Sequence, residues 1–339
     1  VVVSAFKVPL IEQDKTQGGQ TLTSEQIRNL PTRSVNAIVA TTAGVTSVDG
    51  GDVNIKGSRA NGTNYYIDGI RVYGNQVPPV QDIEQLQVIT GGLGAEYGDV
   101  TGGVISLITK GPASEYHGAV EVENSYGLDP YGWLLANANL SGPLLKRKGE
   151  NGSSTTLIGF RLSGQYLGQK DDDPPALPIY RPKASVLQNL EANPLTRLNG
   201  NIVNTAEQLT NDSVDVLDYR PNESRQDIDL TGKLDFRLAE NIDFSVTGTY
   251  KDVQNQITPV QNDLTWSILN SPYNPTVYDT RWRTLARFRH RLGNTDGQQE
   301  SSNKVSISNA SYQLQFGFER ANSERNDKRH GDRMFDYGY

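Results

Sequence analysis

Ile228-Asp229-Leu230-Thr231-Gly232-Lys233-Leu234-Asp235-Phe236-Arg237-Leu238 alternates without a break. In an extended chain Ile228, Leu230, Leu234, Phe236 and Leu238, with Gly232, fall on one side. Asp229, Thr231, Lys233, Asp235 and Arg237 fall on the other. The scheme then repeats, with Ile242, Phe244, Val246, Gly248 and Tyr250 set against Asp243, Ser245, Thr247, Thr249 and Lys251. Ala239-Glu240-Asn241 is short enough to join the two as a hairpin.

Ile158 to Tyr166 and Tyr312 to Glu319 alternate in the same way, and Gly118 to Tyr126 and Trp133 to Gly142 do so more weakly. Arg281 to Arg289 presents Arg281, Arg283, Arg287 and Arg289 on one face. Strands of about ten residues with one oily and one charged face suit a transmembrane β-barrel with a polar interior. A soluble sandwich gives the same alternation with the oily face turned inward, and periodicity alone does not separate the two. The connections favour the barrel. Ala239 to Asn241 is minimal, whereas 168–225 and 252–280 are long, polar and rich in Pro and Asn. Short turns at one end and long loops at the other are the barrel habit.

Composition narrows the field further. The mean hydropathy is −0.55, and no apolar run approaches the ~20 residues of a membrane-spanning helix. A helical transporter is excluded. Among 339 residues there is no Cys, and the three His, His117, His290 and His330, are scattered. That excludes a disulfide frame, thiol chemistry and a His-rich metal site. A net charge of −7 argues against nucleic acid as a partner. Length by itself suggests two domains of ~150 residues each. The N-terminus has no basic segment followed by an apolar core and a cleavage site, and is read as that of a mature or clipped product.

Upstream of the alternating strands the pattern differs. Residues 1–20 are read as a flexible tether, because Glu12 to Gln20 offers nothing apolar to bury. Thr23 caps a helix, with Gln26 reaching back in a capping box, and Pro31 ends it. A second helix is predicted from Ser34 to Thr42 with Gly44 as its stop. Short strands follow at Val53 to Ile55, Tyr65 to Ile67, Ile70 to Val72, Leu86 to Thr90 and Val104 to Thr109, giving a compact α+β unit. The glycine-rich run from Gly91 to Gly103 fails as a nucleotide loop, since no Gly-Lys-Ser/Thr follows and the third Gly is out of register. Its glycines are read as permitting tight turns and close backbone packing.

Four motifs in this unit are more specific. They are Asn54-Ile55-Lys56-Gly57-Ser58-Arg59, Asn64-Tyr65-Tyr66-Ile67-Asp68-Gly69-Ile70-Arg71-Val72, Ile83-Glu84-Gln85-Leu86-Gln87-Val88-Ile89-Thr90-Gly91-Gly92, and Ala95-Glu96-Tyr97-Gly98-Asp99-Val100-Thr101-Gly102-Gly103-Val104-Ile105. In order and spacing they resemble the plug domain of TonB-dependent outer-membrane receptors, over about Thr23 to Pro112. The wording is most similar to the Oar-like branch, whose members commonly carry a carboxypeptidase-regulatory-like domain before the plug; these residues contain none. The positions carried over are Lys56, Gly57, Arg59, Tyr66, Asp68, Gly69, Gly91, Gly92, Tyr97, Gly98, Gly102 and Gly103. Lys56 stands where the family usually has Arg, which keeps the charge without bidentate hydrogen bonding. Val1-Val2-Val3-Ser4-Ala5 resembles the core of the TonB box; the plainer alternative is an apolar strand or the end of a preceding domain.

The resemblance implies an α+β plug domain, 21–112, inside a transmembrane antiparallel β-barrel of about 22 strands. Segment 1–20 is then a TonB-box-like segment and tether. That many strands need ~200–240 residues before any loop is added. Residues 113–339 are therefore expected to hold only the first third or so of the barrel, with long loops near 168–225 and 252–280, and Phe335 to Tyr339 to break off within a strand. The implied location is the outer membrane, and the implied partners are its lipid, an extracellular ligand and the TonB C-terminal domain, to which Val1 to Ala5 would add a strand.

The implied function is import of a bulky chelate, glycan or peptide. The second reading is a plugged barrel acting as a structural or adhesin-like subunit of a stable outer-membrane complex, with a surface lipoprotein among its partners. No catalytic, cofactor or metal residue is assigned. The His residues are too dispersed for a general base. Asp171-Asp172-Asp173 reads as a solvated loop rather than a hard-cation site. Lys56, Arg59 and Arg71 either line an anionic path or pair with Asp68 and wall carboxylates, and the pairing is preferred.

Overall fold

Thr23 ends a first strand, β1 (Gly18–Thr23), and caps the helix α1 (Ser24–Arg28). The capping box forms as the sequence predicts, the Thr23 N–H donating to Gln26 Oε1 at 2.9 Å and the Gln26 N–H to Thr23 Oγ1 at 3.5 Å. Ser34 caps α2 (Val35–Val39) by accepting from the Ala37 N–H. That helix stops short of the expected Thr42, and the chain turns back through Gly44 at φ 79°. The strands β2 (Val45–Ser47), β3 (Val53–Ile55), β4 (Thr63–Ile67), β5 (Ile70–Val72), β6 (Ile83–Gly91) and β7 (Gly103–Thr109) follow.

β1, β6, β7, β4 and β5 form one sheet in that order, with β4 and β7 parallel and the other pairs antiparallel. Ile27, Ile38, Ile55, Leu86, Ile105 and Leu107 are fully buried in this unit. Each such side chain contributes about 1.5–3 kcal/mol. One expectation is corrected: Gly18, Gly19 and Gln20, assigned to the tether, pair with Gly91, Ile89 and Val88 of β6. Backbone pairing places them there, not side-chain burial.

This computed structural model describes residues 18–48, 50–73, 77–95, 97–148, 154–173, 175–239, 241–259, 266–292 and 310–327. The chain divides into two compact units with the main boundary between Pro112 and Ala113. The second unit begins with β8 (His117–Asn124), β9 (Leu134–Lys148) and β10 (Ser154–Gln169). A long excursion then carries β11 (Ile179–Pro182), α3 (Ala184–Ala192), β12 (Leu195–Leu198), β13 (Asn201–Asn204) and β14 (Val214–Leu217). β15 (Arg225–Ala239), β16 (Ile242–Gln256), β17 (Thr276–Leu292) and β18 (Ala310–Asn326) complete the order.

The seven long strands make one sheet in the order β18-β17-β16-β15-β10-β9-β8. Every neighbour is a neighbour in sequence once the excursion is set aside, which is an up-and-down meander. β15 and β16 pair from Arg225↔Asn255 down to Ala239↔Ile242, as the predicted hairpin requires. The strands run to 17 residues, longer than the ten expected. The segment 168–225, expected as a long polar loop, carries strand pairs of its own: β11 pairs with β14, and β12 with β13.

Candidate functional site

The motif residues of the first unit gather at two ends of its sheet. At one end Asp68 and Gly69, at φ 50° and 84°, form the two-residue turn between β4 and β5. The Asp68 carboxylate accepts from the Thr109 N–H at 2.9 Å and from the Thr109 hydroxyl at 2.6 Å, tying that turn to the end of β7. At the other end Lys56 and Gly57, at φ 50° and 76°, turn the chain after β3, and the Lys56 N–H donates to Gly44 O at 2.7 Å. Lys56, Gly57 and Arg59 are exposed.

A Cβ on Gly103 would lie 2.6 Å from the Ile89 carbonyl and 2.7 Å from Ile55, so only glycine fits between those strands. Gly91 and Gly92 close β6, with Gly92 at φ 65°. The Gly102 N–H donates to Gly62 O at 3.0 Å, and Gly98 stands in open space. Tyr66 and Tyr97 meet edge to face at 5.1 Å, and Leu93, Tyr97 and Val100 cover a core of Tyr66, Ile89 and Val104. The glycine run therefore folds down as a lid on β4, β6 and β7, in keeping with its reading as turns and close packing.

Arg71 reaches Asn64 Oδ1 at 3.1 Å and Asp99 at 3.7 Å, which joins the second motif to the fourth. The Tyr65 hydroxyl donates to Asn36 at 3.0 Å; burial, with the charge of Asp52, pushes its pKa well up and keeps the phenol neutral. These groups brace a scaffold, and none is arranged as a nucleophile with its base. The TonB-box-like Val1, Val2, Val3, Ser4 and Ala5 lie outside the described residues, as do Glu96 and His330.

In the second unit the alternation is turned inside out. Leu140, Leu162, Leu230 and Leu234 are exposed, whereas Arg161, Asp227, Asp229, Lys233 and Arg283 are buried. A sandwich would do the reverse. Leucines left half-exposed to water would each forfeit of order 1 kcal/mol, so this face is built for hydrocarbon. From Ile228 to Leu238 the apolar face runs about ten residues at ~3.4 Å each, and at a barrel strand's tilt of ~40° it stands about 25 Å tall, the height of a lipid band. Rings mark both margins: Phe236 and Phe244 lie 5.8 Å apart towards the short turn, and Tyr250 and Trp282 lie 4.5 Å apart towards the long connections. On the polar face Lys251 pairs with Asp229 at 3.1 Å, and Arg281 and Arg283 both reach Glu319.

The root of the long excursion holds a cluster that sequence reasoning misjudged. Asp171 is not solvated. Its side chain is fully buried, accepting from the Arg220 backbone N–H at 2.6 Å and facing the Arg220 guanidinium at 3.4 Å. The same guanidinium reaches Asp173 at 2.8 Å and Glu223 at 3.1 Å, and also the Asp173 carbonyl. Glu223 accepts from the Thr258 hydroxyl, and Asn274 donates to Asn222 O at 2.9 Å, so both long connections share one root. Burial pushes the Glu223 carboxyl above its ordinary value, against the Thr258 hydrogen bond and Arg220; burial raises Asp172 too, against Arg225. The signal was present as Arg220, Glu223 and Arg225 around the start of β15, but the partners lie about fifty residues apart.

Residues 12–104 match the family described as TonB-dependent Receptor Plug Domain. The chain is 29% identical over 196 residues to the iron-regulated outer membrane virulence protein of Vibrio cholerae, covering 51% of this chain and 28% of that protein. It is 32% identical over 95 residues to the TonB-dependent transporter Oar of Myxococcus xanthus, covering 26% and 9%. Among solved structures, the siderophore receptor PirA from Pseudomonas aeruginosa superposes with a TM-score of 0.54 at 19% identity, covering 91% of this chain and 42% of that one. That likeness is one of fold. In each comparison the chain spans less than half of its relative's length.

Proposed function

The chain belongs to the TonB-dependent outer-membrane receptors, and from that premise we propose that it serves the import of a bulky extracellular ligand, with force delivered to the plug by TonB. The observation that carries the proposal is a braced plug unit followed by a wall with its apolar residues outside and its charges inside. A wall of that kind lies in a membrane, and a plug has work to do only where a path must be opened and closed.

The β1–β6 pairing gives the pull a point of entry. A segment upstream of Gly18, drawn away from the sheet, loads the ladder that joins β1 to β6. β1 is an edge strand beginning with two glycines, and such a strand peels one hydrogen bond at a time. Val1 to Ala5 would engage the TonB C-terminal domain by adding a strand, main-chain hydrogen bonds supplying the affinity. Within the ligand class a ferric chelate is favoured over a glycan or peptide, because relatives in sequence and fold are named for iron regulation and for siderophores.

The test is uptake of radiolabelled iron chelates by cells carrying the whole protein with or without Val1 to Ala5. Deletion is expected to abolish energised uptake while leaving the protein in the outer membrane. Uptake that survives the deletion would overturn the proposal.

A further inference from the structure

The membrane-facing side of the seven-stranded sheet carries a hollow of about 680 Å³. Two adjacent rows of the register frame it. One runs Leu140, Leu162, Gly232, Gly248, Thr284, and the next runs Ala138, Gly164, Leu230, Tyr250, Trp282. Neither row contains a charged residue. Gly232 and Gly248 face each other across β15 and β16 and make the floor, and the paired rings of Tyr250 and Trp282 stand at one end.

The glycines of the floor are not required by the backbone. Neither has a positive φ, and the register passes both without a bulge. A Cβ on Gly248 would meet nothing within 4 Å, and one on Gly232 would meet only Leu162 Cδ2 at 3.5 Å, an ordinary contact. Glycine in the middle of a strand weakens it, through chain entropy and the missing side chain, and is otherwise found at bulges, bends or places of close approach. With no bulge, nothing near Gly248 and only an ordinary side-chain contact near Gly232, what the two glycines provide is the space itself.

We propose that this hollow seats one acyl chain of a membrane lipid, lying against the Gly232–Gly248 floor. The hollow opens inside the lipid band and continues the surface that already faces hydrocarbon, so the molecules arriving there are acyl chains. Its width fits: one to two strand spacings give a slot of ~5–10 Å, room for an alkyl chain but not for a helix ~10–12 Å across. The side chains of the two rows carry no charge, and their polar atoms are confined to the Thr284 hydroxyl and the ring tips of Tyr250 and Trp282. The frame therefore offers mainly dispersion contacts and no counter-charge to a headgroup or a charged peptide.

Trp282 makes the test direct. Trp133, Trp266 and any tryptophan that the whole protein carries beyond these 339 residues are replaced by Phe, so that Trp282 is the single indole. The whole protein in mild detergent is then titrated with phosphatidylcholine carrying dibromostearoyl chains, which quench on contact. Quenching is expected to saturate at a single lipid per chain, above a linear background. Gly232→Leu/Gly248→Leu should remove the saturable part. Gly248→Ala, whose Cβ has open space, should weaken it in a protein that folds as the parent does. Quenching that is linear throughout, or saturation unchanged in the filled variants, would overturn the proposal. So would a Gly248→Cys variant that cross-links to a second copy in place of taking lipid.

Discussion

At the scale of single residues, glycine has opposite meanings in the two units. Gly103 is trapped between the Ile89 carbonyl, a backbone atom fixed by the β6–β7 ladder, and the buried Ile55 side chain. Gly103→Ala is therefore expected to cost about 1–3 kcal/mol, the range for overpacking a filled site. Gly248→Ala, with open space around its Cβ, should be neutral or gain up to ~1 kcal/mol by removing chain entropy from the unfolded state. Urea unfolding followed by tryptophan fluorescence and far-ultraviolet dichroism compares the two, and equal effects would refute this assignment of space. Sequence alone read Gly92, Gly102 and Gly103 correctly as turn and packing residues, because Gly-Gly pairs beside strands carry that meaning locally, whereas Gly98 stands in open space. It placed Gly248 on the apolar face but gave no sign of the open space there, because its neighbours come from two other strands.

At the scale of elements, the clasp around Arg220 decides how the long excursion stands on the wall. Five carboxylates, on Asp171, Asp172, Asp173, Glu223 and Asp227, face the guanidinium groups of Arg220 and Arg225. Arg220→Ala strips the buried Asp171 of its counter-charge, a loss of about 3–5 kcal/mol for a broken buried pair. Hydrogen exchange should then accelerate across 171–224 and around Thr258 and Asn274, while β15 and β16 below stay protected. The pH dependence has a definite sign. Glu223 and Asp172 have folded-state pKa values above their ordinary 4.5 and 3.8, so the native root holds protons that the opened root releases. Stability from these groups is complete below the ordinary values and is lost as pH rises through the raised ones. Protection factors at the root should fall from mildly acid to neutral pH, and Glu223→Gln should flatten that fall; a rise with pH would contradict the burial of Glu223. This root was illegible in the sequence because its pairs are non-local: Asp171 bonds to Arg220, and Ile179 pairs with Leu217. β1 was missed for a related reason, Gly18, Gly19 and Gln20 having no apolar side chain to betray a strand that β6 makes by backbone pairing. By contrast Ile228 to Leu238 was legible residue by residue, since a period of two needs no partner to be seen.

At the scale of the whole molecule, sidedness follows from the meander. β15 and β16 meet through a connection of minimal length at Ala239, whereas β10 and β15, and β16 and β17, are separated at the opposite end by the excursion and by 257–275. Outer-membrane barrels put short turns towards the periplasm and long loops outside. The β12–β13 hairpin, with Leu198 exposed near its tip, should therefore face the medium, and Ala239 the periplasm. These 339 residues contain no cysteine, and any cysteine elsewhere in the whole protein is first replaced by serine to give a background free of native thiols. A Leu198→Cys variant of the whole protein is expected to react with a membrane-impermeant maleimide on intact cells, and an Ala239→Cys variant only after the outer membrane is permeabilised. The reverse pattern would invert the wall and remove the excursion, with its Arg220 clasp, from any part in meeting an extracellular ligand. Labelling of both on intact cells would place the sheet outside a bilayer altogether, and the apolar face from Ile228 to Leu238 would then need a protein cover in place of lipid.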